Sequence, residues 1–208
     1  MVLISENHIL KYKLIDDNPG RQSFWHYITD YMASQLFSTI LFKEDFDKNI
    51  SGYFTEDLYM GDQVLKEITG LILPIKSAVI CTESGKESIK FNTDKDFAIF
   101  IHEAAHYLHI VKDKGVYRCP FLQDKDQSEI FLEYEAGWRS LEYNYQYKMF
   151  PKNDRTILEL NLKNMLHYIE IINKKDYIGK DKEYKERQKA WVKSINKFSE
   201  IKDFKTEI

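Results

Sequence analysis

The stretch Glu87-Ser-Ile-Lys-Phe91-Asn-Thr-Asp94-Lys-Asp-Phe97-Ala-Ile-Phe-Ile-His102-Glu103-Ala-Ala-His106-Tyr-Leu-His109-Ile-Val111 changes its period halfway along. From Ser88 to Phe91 polar and apolar residues alternate, the repeat of a half-buried strand. After the polar link Asn92-Thr-Asp94 the chain becomes almost wholly apolar and free of proline and glycine, and a helix is expected from Asp96 to Val111. Upstream, Leu71 to Thr82 is apolar and rich in β-branched residues, and Glu83-Ser-Gly85-Lys supplies a turn. The region reads as strand, turn, strand, helix, with Pro74 placing the first strand at an edge or bulge.

Outward from this centre the signals are shorter. His8 to Ile15 alternates in part and is expected as a strand, ended by a turn at Asp16-Asp-Asn-Pro-Gly20. Ser23 is the expected N-cap of a helix to about Leu41, with Phe24, Tyr27, Ile28, Tyr31, Leu36 and Ile40 at helical spacing. A shorter helix is expected from Thr55 to Ile68, stopped by Gly70. Downstream, helices are expected over 126–147, 155–173 and 182–199, with breaks near 115–120, 151–154 and 176–179. The fold class is therefore α+β, a small sheet packed against the helix of residues 96–111, with a mostly helical C-terminal half. A single domain spanning 1–208 is expected, with 176–208 as a helical extension.

Bulk properties exclude more than they assign. The chain has 208 residues, 43% hydrophobic and 30% charged, with a net charge of −3. That describes a globular protein with no general attraction to nucleic acid or to an anionic membrane surface. The first residues carry no basic segment followed by an apolar one, and no apolar run approaches the ~18 residues of a membrane span. A cytoplasmic location is expected. The two cysteines, Cys81 and Cys119, are too few for a disulfide framework and are expected as small buried apolar residues. No phosphate-binding glycine motif is present.

Chemistry concentrates in His102-Glu103-Ala-Ala-His106. Residues i and i+4 share a helix face, so both imidazoles can reach one metal ion. Glu103 lies ~100° round the helix from His102. There it can flank an open coordination position and take a proton from a water without itself being a ligand. From Phe97 to Val111 it is the only acidic or basic residue besides histidine, and a carboxylate in such a setting is costly unless paired. The plain alternative is a helix with two surface histidines and a Glu at the core edge.

Two histidines leave a catalytic zinc one protein ligand short. His109 stands ~10.5 Å along the helix axis from His102, too far for both to bind one ion, and is expected in the core or behind the site. The metzincin pattern fails because it needs Gly at His109 and His at Lys112. The next helix offers Glu129, Glu133, Glu135 and Glu142. Its expected buried stripe is Phe131, Tyr134, Trp138, Leu141 and Tyr145. Glu135 and Glu142 project roughly 60–80° from the centre of that stripe, and Glu133 and Glu129 roughly 120–160°. Glu135 and Glu142 are thus the candidates, with Asp126, at the spacing of a thermolysin-like ligand, behind them.

The run from Glu87 through His109, followed by Glu133-Tyr-Glu135-Ala136, resembles the ImmA/IrrE-type zinc metallopeptidases over about residues 86–142. That family pairs H-E-x-G-H with a later E-x-E-A-N. The resemblance implies zinc held by His102, His106 and Glu135, with Glu103 as catalytic base. Ala105 stands where the family has Gly, and Gly137 where it has Asn. It further implies a regulatory peptidase with a restricted protein or peptide substrate. The alternative is a zincin-fold regulatory protein that acts by contact without proteolysis. An oxyanion stabiliser would come from Tyr107, Tyr143, Arg139 or His26. The mixed-charge stretch 176–208 is expected as a solvated helix face, or as a docking surface for a protein partner.

Overall fold

In the computed structural model, residues 9–35, 38–43, 53–55, 58–60, 63–65, 69–83, 86–113, 125–151 and 156–157 are described. They form a mixed α+β structure with three small sheets and three helices. The chain divides after Tyr107 into two compact units.

The first unit contains all the described strands. Strands β7 (Ala78–Glu83) and β8 (Lys86–Phe91) form the expected antiparallel hairpin, closing at the pair Glu83–Lys86. The strand expected over residues 8–15 shrinks to β1 (Lys13–Leu14), which pairs with β8 in parallel. A tight turn from Ile9 to Tyr12 occupies what precedes it and buries Ile9, Leu10 and Tyr12.

Helix α1 (Pro19–Ser34) begins earlier and ends earlier than its sequence suggests. Asn18 is the N-cap, its side-chain oxygen accepting from the Gly20 and Arg21 amides at 2.7 and 3.2 Å. Pro19 occupies the first turn, where its missing N–H costs nothing. Asp-Asn-Pro-Gly is therefore a helix start and not a chain reversal. Ser23, the expected cap, lies inside the helix and donates to the Pro19 carbonyl. The residues expected to continue the helix form strand β2 (Ser38–Lys43).

The helix expected from Thr55 to Ile68 is absent. In its place are strands β3 (Tyr53–Thr55), β4 (Leu58–Met60) and β5 (Gln63–Leu65), followed by β6 (Thr69–Pro74). Strands β4 and β5 pair antiparallel, with Met60 opposite Gln63. Gly70 ends no helix. It sits in β6 opposite Thr39 of β2, where a Cβ would come within 3.0 Å of the Thr39 carbonyl oxygen. Strand β6 is central, parallel to β2 and antiparallel to β3, and buries Leu71, Ile72 and Leu73 consecutively. Pro74 is its last residue. A 3₁₀ turn at Ile75–Ser77 then carries the chain from this sheet into β7 of the other. Cys81, expected inside, is exposed on β7, and Cys119 lies outside the described residues.

Helix α2 (Asp94–Tyr107) follows β8. Thr93 caps it, accepting from the Asp96 amide and donating to the Asp96 carboxylate. Its apolar side rests on an aromatic cluster. Phe100 lies 5.3 Å from both Trp25 and Phe91 between ring centroids, 5.6 Å from Phe97 and 6.1 Å from Phe24. The Trp25 indole N–H donates to the buried Tyr12 carbonyl at 2.8 Å. Arg21 ties the starts of both helices, bonding Asp94 at 2.6 Å and Asp16 at 3.3 Å while lying over the Phe97 ring.

The second unit begins with a π turn, Leu108–Lys112, continuous with α2 and closed by the Asp113 amide on the Leu108 carbonyl. Helix α3 (Lys125–Tyr147) agrees with expectation in extent. Of its expected buried stripe, Leu141 is buried, Trp138 half-buried and Tyr145 58% exposed, while the side chains of Phe131 and Tyr134 lie outside the described set. Leu132, Ala136 and Ser140 are buried as well, so small residues face inward where a large tyrosine was expected. Past the helix, Lys148 takes φ 56° and the Asn144 side chain accepts from the Phe150 amide. The helices expected over 155–173 and 182–199 lie outside the described residues, apart from helical Thr156 and Ile157.

Candidate metal centre

Helix α2 projects His102 and His106 from successive turns of one face, and their rings lie 4.9 Å apart, nearly perpendicular. His102 is half-buried and His106 is buried. Ala104 and Ala105 are fully buried, so the histidines stand at the border between core and accessible surface. Glu103 is buried as well, at 7% exposure. A carboxylate there is retained at a cost that partners must offset. His109 is buried in the π turn, as expected of a core residue.

Among the described residues, one group of three metal-type side chains comes together. Ligand atoms of His102, His106 and Glu133 lie within 4.8 Å of one another. Two imidazoles and a carboxylate suit zinc, whose tetrahedral donors stand ~3.4 Å apart given bonds of ~2.0–2.1 Å. The expected third donor, Glu135, is not in this group. Its carboxylate, 1% exposed, accepts from Arg139 Nε at 3.4 Å one turn further along α3.

Glu133 is half-buried and Glu135 almost wholly buried, so burial along α3 does not by itself choose between them. Glu142 is half-buried and outside the group. The side chains of Asp126 and Glu129 lie outside the described set.

Arg139 is engaged twice, by Glu135 and by Asp113 at the end of the π turn, and its guanidinium borders the Trp138 ring. Burial works against its charge, but the hydrogen bond to Asp113 and the nearby Glu135 carboxylate outweigh burial and raise its pKa further above the ordinary arginine value. The i,i+4 spacing of Glu135 and Arg139 was a readable pairing signal, whereas Asp113 was not marked by any spacing. Of the other oxyanion candidates, the Tyr107 hydroxyl is bonded to Ser38 Oγ at 2.5 Å in the core. His26 is exposed and Tyr143 half-buried.

No protein-family model, no curated protein and no solved structure matches the chain. Among the described residues no helix is long and apolar enough to cross a membrane.

Proposed function

We propose that the protein is a zinc-dependent peptidase of zincin-like fold, cleaving a peptide bond in a restricted protein substrate in the cytoplasm. The observation that carries this reading is the pair of imidazoles 4.9 Å apart on one helix face with a buried carboxylate next to the first. His102 and His106 are two zinc ligands, and Glu133 is taken as the third because its carboxylate joins them. The ImmA/IrrE-like motif would instead give that role to Glu135. Zinc, when bound, polarises a carbonyl and makes water a better acid. Glu103 takes the proton from the attacking water and delivers it to the leaving amine. A regulatory protein acting by contact alone would have no use for a base at Glu103, which weighs against the contact-only alternative. The regulatory role and restricted substrate rest on the same resemblance.

Elemental analysis of protein purified without chelator tests the reading. About one zinc per chain is expected, lost in His106→Ala and Glu133→Ala and retained in Glu103→Gln, with peptidase activity absent in all three. Zinc lost in Glu135→Ala but kept in Glu133→Ala would return the third ligand to Glu135. A wild type that takes up no metal when zinc is offered would refute the enzyme.

A further inference from the structure

Asp113, Glu135 and Arg139 form a charged group that takes no part in the metal centre when Glu133 is its third ligand. Glu135 is almost completely buried, and removing a carboxylate from water is expensive unless a cation with good geometry accompanies it. Arg139 is that cation, placed one helical turn along α3. A single ion pair would have sufficed for burial. The guanidinium nevertheless spends a second donor on Asp113, the residue whose amide closes the π turn. Asp113 is 42% exposed at its side chain and needs no neutralising partner of its own. Its bond to Arg139 therefore adds little to burial and much to position. It joins the end of the helical run 94–112 to a helix that begins only at Lys125. A planar fork held at two points also resists rotation about the helix axis, which a flexible ammonium would not.

We propose that Arg139 is a positioning residue for the metal centre: held by Asp113 and Glu135, it fixes the rotation and register of α3, and with them the carboxylate of Glu133. The inference rests on the zinc reading above. Removing a group bonded directly to a metal's ligand typically weakens affinity ~10–100-fold; Arg139 bonds Glu135 and Asp113 and acts on Glu133 through the helix, so the lower end is expected.

The test is zinc affinity, measured by competition with a chromophoric chelator, together with the visible spectrum of the cobalt-loaded protein. Asp113→Ala touches a partly exposed side chain and leaves the Glu135–Arg139 pair in place, so folding is preserved. Arg139→Lys keeps the charge beside Glu135 but loses the fork. Zinc affinity about tenfold weaker in both, with a shifted cobalt spectrum, is expected. A merely structural role would lower the unfolding temperature and leave affinity and spectrum alone. Zinc on the wild type with both variants within twofold of it would overturn the positioning role by itself. No zinc on the wild type would overturn the metal centre and this inference together.

Discussion

Replacing Phe100 by alanine probes the platform on which the histidine pair stands. Phe100 is fully buried, two residues before His102, and four aromatic rings lie within 6.1 Å of its own centroid. Truncating a buried phenylalanine to alanine costs ~3–5 kcal/mol, and each aromatic pair adds ~0.5–1.5 kcal/mol beyond burial. With four such pairs, a cost at the upper end is expected, ~4–5 kcal/mol. That consumes most of the ~5–15 kcal/mol by which domains are stable. Phe100→Leu keeps most of the volume and should cost ~1–2 kcal/mol, a fall in Tm of roughly 5–15 °C for a unit of this size. Urea titration followed by circular dichroism measures both. If alanine and leucine prove equal, each under ~1.5 kcal/mol, then Phe100 is not the packed centre of the cluster and the account of how α2 is held is wrong.

Other perturbations address the corrected boundaries. Asn18→Ala should destabilise by ~1 kcal/mol while Ser23→Ala stays within ~0.5 kcal/mol; the opposite order in thermal melts would restore the later helix start. Gly70→Ala should cost ~1–2 kcal/mol, because the new methyl meets a backbone oxygen and not a side chain that could move. Equal or greater stability in urea would mean that β2 and β6 are not so closely paired. Trp25→Phe removes the donor to the Tyr12 carbonyl and should cost ~2–3 kcal/mol; a loss under ~0.5 kcal/mol would mean that water replaces the bond.

The helices bearing the candidate site were legible because each repeats its pattern over several turns. From Phe97 to Leu108 the inward positions recur often enough to fix both the element and the face of His102 and His106. Strands β4 and β5 have three residues each, too few to display an alternation, so the apolar spacing between 55 and 68 imitated a helix. Asn18-Pro-Gly was ambiguous for another reason: the same residues begin helices and make turns, and only the Asn18 side-chain bonds decide. The buried side of α3 was harder to read, because its expected stripe was chosen by side-chain size. Tyr145 is large and exposed, whereas Ala136 and Ser140 are small and buried, and nothing in their spacing says that close approach outranks bulk.

The parallel pairing of β1 with β8 bears on how the protein is made. Lys13 lies opposite Ser88, so the first strand has no partner until nearly the whole unit has been synthesised. Closing so long a loop is slow, since its entropy is lost before the contacts return anything. During translation the histidine helix therefore emerges immediately after the strand that completes this sheet. A chain arrested before β8 would hold β1 without its partner strand, so this sheet and the helix that follows it form late in synthesis.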